Sequence, residues 1–147
     1  MKITSSVFGH NTLVPSKYTC EGQNINPPLS IKDIPADAKS LVLIVDDPDA
    51  PTKTWTHWTA WNISPDTAEI AENSIPGGCV EGTTSFGRTG YGGPCPPSGT
   101  HRYFFKIFAL NKLLNLPHGA HLANLTAAIE DHIIDKDEFI GLYKKKN

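Results

Sequence analysis

What this sequence has little of narrows the reading first. No apolar run approaches the roughly 20 residues of a membrane helix, and the opening MKITSSVFGHN lacks the apolar stretch of a secretory signal. A cytoplasmic chain that is not integral to a membrane is the expectation. Charge is modest and balanced: 13 Lys and Arg against 15 Asp and Glu give a net charge of -2. With no excess of positive charge, nucleic acid is not an expected partner, and any anion must be held by local groups. Three cysteines, Cys20, Cys79 and Cys95, are odd in number and include no CxxC. That predicts free thiols in a reducing compartment rather than a disulfide framework or a zinc ribbon. Histidines are present, but HxH, HExxH and i, i+4 pairs are absent, so neither a metal nor any other cofactor is expected. Also missing are a GxSxG elbow and a phosphate-binding glycine loop that runs into a helix.

What is present suits one domain over residues 1–147, a length that can bury its own core. The first two thirds consist of short apolar runs punctuated by Pro and Gly, which favours a mainly β domain over a helical bundle. The predicted strands are Lys2 to Phe8, Leu29 to Ile31, Ser40 to Val45, His57 to Ile63, His101 to Leu110 and Glu138 to Lys144. One segment breaks that pattern: Leu122, Leu125, Ile129 and Ile133 recur at helical spacing and predict a helix packed on the flank of the sheets. The stretch EGTTSFGRTGYGGPCPPSGTHR is too long for an ordinary hairpin connection, and its low charge, aromatics and prolines predict an ordered loop.

Chemistry concentrates where strands meet loops. DDPDAPTKTWTHW places an acidic, proline-stiffened loop between two apolar strands, the usual place for functional groups. His57 and His101 each follow such a loop and begin a strand, a placement that lets both meet Asp47 at one end of a sheet. Period-two geometry puts His101 and Tyr103 on one face of their strand and Arg102 on the other. Each residue also has a plain structural role: Asp47 as an Asx turn, Trp55, Trp58 and Trp61 as packing aromatics, the residues of GYGGPCPPSG as turn formers. A serine hydrolase using Ser85 or Ser98 is a further alternative. Residue pattern alone leaves the function open.

Three ordered motifs, DPDAP, HWTAWNI and GRTGYGGPCPPSGTHRYFFKIFAL, together with YTCEGQNINPPLSI, closely resemble the phosphatidylethanolamine-binding protein family, and in particular its short prokaryotic branch. The resemblance covers nearly the whole chain. It implies an antiparallel β-sandwich with a peripheral α-helix and a small pocket for a phosphate-like anion. It carries that pocket onto Asp47, Pro51, Trp55, His57, Gly93, Pro96, His101 and Tyr103, and it implies a cis peptide before Pro51. Cys95 stands where animal members have a second glycine, a departure that bears on Gly93. The implied activity is non-enzymatic binding of a phosphorylated small molecule, a phospholipid head group or a phosphorylated protein side chain. Inhibition of a kinase or serine protease through exposed loops is the alternative. In this reading Asp47 holds an imidazole while His57, His101 and Tyr103 donate to the anion.

Overall fold

The computed structural model describes residues 1–146. In chain order its elements are β1 (Lys2–Thr4), β2 (Thr12–Leu13), β3 (Leu29–Lys32), β4 (Ser40–Asp47), β5 (Trp55–Ile63), β6 (Glu69–Ile70), β7 (Val80–Glu81), β8 (His101–Leu110), α1 (Leu122–Ile129) and β9 (Ile133–Tyr143). A three-stranded sheet has the order β1-β3-β6, and a six-stranded sheet has the order β2-β9-β8-β4-β5-β7. All pairings are antiparallel except the short β2–β9 contact, which is parallel.

The two sheets face one another across the main core. Ile3, Leu29, Ile31 and Ile70 from the small sheet meet Leu41, Leu43, Val45, Trp58, Phe105 and Ile107 from the large one. A second apolar layer lies on the opposite face of the large sheet, where Val42, Ile44, Trp61 and Leu110 pack against Leu114 and the Leu125 and Ile129 face of α1. β4 is therefore covered on both sides, and all eight of its residues are buried. That explains its unbroken apolar run, since alternation is needed only where one face meets water. Each fully buried Leu or Ile contributes about 1.5–3 kcal/mol, so this strand is a principal anchor of the sandwich.

Several sequence expectations shift. β1 stops at Thr4, and Phe8, beyond the strand, packs its ring at a tilt against Phe105 and Phe139 as a core side chain. The helix ends at Ile129, a turn closed by the His132 N–H on the Ile129 carbonyl follows, and Ile133 opens β9 instead of extending the apolar stripe. β9 accordingly starts five residues before the predicted Glu138. The short strands β2, β6 and β7 carry too few residues to show a period.

Two covalent expectations are overturned. Cys20 and Cys95 form a disulfide with a Cα–Cα distance of 5.4 Å, leaving Cys79 as the free thiol. The partners are 75 residues apart, so only the docking of two loops brings them together. The expectation of a reducing compartment thereby loses its cysteine support. The described residues contain no cis peptide bond, so Ala50–Pro51 is trans. Residues 48–54 give the chain enough length to reverse between β4 and β5 without one. No helix of the described residues is long and apolar enough to cross a membrane.

Candidate functional site

At one end of the large sheet, β4, β5 and β8 and the loops beside them enclose a cavity of about 360 Å³. Asp47, Pro51, Trp55, His57, Pro96, His101 and Tyr103 all line it. Ala50, Phe86, Cys95 and Pro97 complete the wall, and the residue pattern had not singled them out for it. Ala50, Cys95 and Pro97 belong to the DPDAP and GGPCPP motifs, whereas Phe86 lies in neither and has no local signal.

Strand geometry delivers the polar groups. Asp46 and Asp47 end β4 on opposite faces: Asp46 turns out to pair with Lys106 at 2.8 Å, while Asp47 turns toward the cavity. Along β8, His101 and Tyr103 are buried and Arg102 is exposed, as period two requires. β5 departs from simple alternation. Val45 faces Trp58 and Asp46 faces Thr56, so His57 is an extra residue in a β-bulge. Such bulges re-aim a side chain, and here His57 joins the cavity while Trp58 beside it remains in the core.

Each imidazole is held at Nδ1. His57 Nδ1 lies 2.7 Å from the Gly92 carbonyl, which can only accept, so that nitrogen carries hydrogen. His101 Nδ1 lies 2.6 Å from Asp47 Oδ2 and donates to it. Asp47 Oδ1 meanwhile accepts the Asp49 N–H at 2.8 Å, so Asp47 both forms the Asx turn and orients an imidazole. Asp49 in turn grips Arg102 through both carboxylate oxygens, fastening the 48–54 loop to the start of β8. The guanidinium holds the Asp49 carboxyl below the usual carboxylate range.

Burial pushes the His57 pKa down, against the opposing pull of the Gly92 carbonyl and the Asp47 and Asp46 charges. The same loss of water, helped by the Asp47 charge, pushes Tyr103 up. Its hydroxyl is buried and finds no acceptor among the described residues, while the nearby Cys95 N–H pulls its pKa the other way. Both histidine Nε2 atoms likewise lack a protein partner among the described residues, so two imidazoles and one phenol present spare polar atoms to a wall otherwise made of prolines and aromatics. Trp55 and His57 both meet the Phe86 ring edge to face, at 5.6 and 5.3 Å between centroids.

Gly93 is not in the cavity wall. It lies against the loop after the 3₁₀ turn Ser16–Tyr18, where its N–H donates to Asn24 Oδ1 at 2.8 Å and an added Cβ would overlap the Tyr18 carbonyl. Gly93→Ala is expected to lower unfolding free energy by about 1–3 kcal/mol through overpacking, read by denaturant titration. A neutral result would mean the Tyr18–Asn24 loop yields freely.

The hydrolase candidates lie elsewhere. Ser85 pairs with β5 through both backbone and side chain, its N–H donating to the Thr56 carbonyl and its Oγ accepting the Thr56 N–H at 2.8 Å. Ser98 is exposed and does not line the cavity.

Comparison with known proteins agrees with this architecture. The model of the phosphatidylethanolamine-binding protein family matches residues 4–144. A UPF0098 protein of Methanothermobacter thermautotrophicus is 47% identical over 99% of both chains. One from Pyrococcus horikoshii is 52% identical over 97% of this chain and 76% of its own. Among solved structures, one presented as a phosphatidylethanolamine-binding protein homologue from Chlamydia trachomatis superposes with a TM-score of 0.94 at 41% identity, covering 98% of this chain and 97% of that one. Escherichia coli YbcL, described as a member of the mammalian PEBP family, superposes at 0.92 with 30% identity, covering 99% and 98%. With a family model spanning nearly the whole chain and relatives close in both sequence and fold, this chain belongs to the phosphatidylethanolamine-binding protein family.

Proposed function

We propose that the cavity binds a phosphate-type anion bearing a small organic substituent and releases it unchanged. The observation that carries this reading is the convergence of three unpartnered polar atoms, His57 Nε2, His101 Nε2 and the Tyr103 hydroxyl, on residues that line one cavity. Tyr103 is a donor as it stands, and each imidazole becomes a second and third donor on protonation. Asp47 does not contact the anion, which it would repel; it holds the His101 ring by Nδ1 and leaves Nε2 for the ligand. Pro51, Trp55, Phe86, Pro96 and Pro97 supply an apolar rim for the substituent.

A phosphorylated small molecule, a phospholipid head group and a phosphorylated side chain share the recognised group. The test is calorimetry with diethyl phosphate, glycerophosphoethanolamine and a phosphoserine peptide, followed by phosphorus NMR of the same mixtures. Saturable binding with the phosphorus signal unchanged is expected, and the ranking of the three probes tells the sources apart. A new phosphorus signal that grows with time would make the protein an enzyme. No binding of any probe, together with capture of a kinase or protease by the exposed loops, would make it an inhibitor.

A further inference from the structure

Cys95 sits between Pro94 and the cavity prolines Pro96 and Pro97, and its sulfur is bonded to Cys20 in a separate loop. Upstream of Cys95 the chain is well tied. The Gly92 N–H donates to the His57 carbonyl, Gly93 to Asn24, and the Pro94 carbonyl accepts the Cys20 N–H. Downstream the ties stop. Among the described residues no hydrogen bond attaches residues 96–100 to the rest of the protein until the β8 ladder begins at His101. The disulfide is thus the last covalent or hydrogen-bonded tie of the wall before β8, and beyond it Pro96 is held by burial alone. Cys20 and Cys95 are both exposed, so a reductant reaches the bond directly. Cys79 is a poor competitor for exchange, because burial pushes its thiol up to about 11 and the thiolate is the reactive form.

We propose that the Cys20–Cys95 disulfide is a reducible lock on the anion cavity: oxidised, it holds the Cys95–Pro97 wall in place, and reduction by a dithiol frees that wall and weakens anion binding. This inference rests on the function proposed for the same cavity. A thiolate of the dithiol attacks one protein sulfur, breaking the bond, forming a mixed disulfide and expelling a cysteine thiolate that takes up a proton. The second thiol, giving up its proton, attacks the mixed disulfide; the reductant leaves as a disulfide and the other cysteine as a thiol. Two electrons and two protons have then passed to the protein. A disulfide oxidant reverses the exchange. Freed from Cys20, residues 95–100 sample more conformations, and binding must order them again before the apolar rim can close on a substituent.

The test uses the full chain in a Cys79→Ser background, in four forms: oxidised, reduced with dithiothreitol, reoxidised, and Cys20→Ser. Two quantities are read by NMR, the affinity for diethyl phosphate and the relaxation order parameters of the Cys95, Ser98, Gly99 and Thr100 amides, which report on the wall itself. Reduction and Cys20→Ser are each expected to weaken binding about tenfold, the scale of ordering a few residues, and reoxidation to restore it. On reduction the order parameters of these wall amides are expected to fall while those of Val45 and Phe105 in the central strands hold. Equal affinity in oxidised and reduced protein overturns the inference, as do order parameters of the wall amides that do not change on reduction. If the oxidised protein does not bind diethyl phosphate, the proposed function fails by itself, and the order parameters still decide whether the disulfide locks the wall.

Discussion

Tyr103→Phe is expected to raise the stability of the free protein and to weaken its anion binding, opposite effects from one missing oxygen. The Tyr103 hydroxyl is buried without an acceptor for its proton, and burial together with the Asp47 charge keeps it protonated. An unsatisfied buried polar group costs about 1–3 kcal/mol, and Phe removes the group while keeping the ring that packs beside His57 at 5.2 Å. A bound anion would satisfy the same donor. A hydrogen bond to a charged acceptor contributes about 1.5–3 kcal/mol, so affinity should fall by roughly 10- to 150-fold. Denaturant unfolding without ligand and calorimetric titration with diethyl phosphate read the two effects. A destabilised variant with undiminished affinity would show that the hydroxyl serves the fold rather than a ligand.

His57 carries the second large effect, through pH. Its folded-state pKa is depressed, chiefly by burial, from a reference value of about 6.5. A histidine depressed on folding gives its full stability above the unfolded value and loses it as pH falls through that value to the folded one. Acidification below pH ~6.5 should therefore destabilise the unliganded protein, and His57→Gln should remove this part of the acid sensitivity. Anion binding runs the other way. A negative ligand next to His57 favours the imidazolium and raises its pKa, so binding takes up a proton. Affinity should be greatest below the depressed free-state value and decline as pH rises from there to the raised value in the complex. The decline thus begins at a lower pH than an unperturbed histidine would set. Calorimetry in buffers of different ionisation enthalpy reads the proton uptake directly, with a phosphodiester as probe because its own charge is constant. His57→Gln that keeps the full uptake would assign it to another group and leave His57 as a structural residue bonded to Gly92.

Much of the site was legible because strand geometry is periodic. His101 and Tyr103 share a face of β8, and Asp47 ends the strand next to it, so pattern alone could bring these three to one end of a sheet. The buried run of β4 and the amphipathic first turns of α1 were legible for the same reason. Trp58 and Trp61 are core aromatics, fully buried, whereas Trp55 lines the cavity; nothing local separates the three. Gly93 was carried to the pocket by resemblance, yet its backbone serves the approach of the Tyr18–Asn24 loop.

By itself the sequence determined a mainly β chain with one amphipathic helix, its principal strands, and the family, because period, turn residues and ordered motifs are local properties that survive without coordinates. Only the tertiary structure decided that His57 is aimed by a bulge, that Phe86 closes the wall, that Ala50–Pro51 is trans, and that Cys20 reaches Cys95. Each of these depends on how segments distant in the chain dock or how a loop spends its length. A one-residue bulge leaves no mark on the apolar pattern, and a pair of cysteines 75 residues apart has no spacing to announce it.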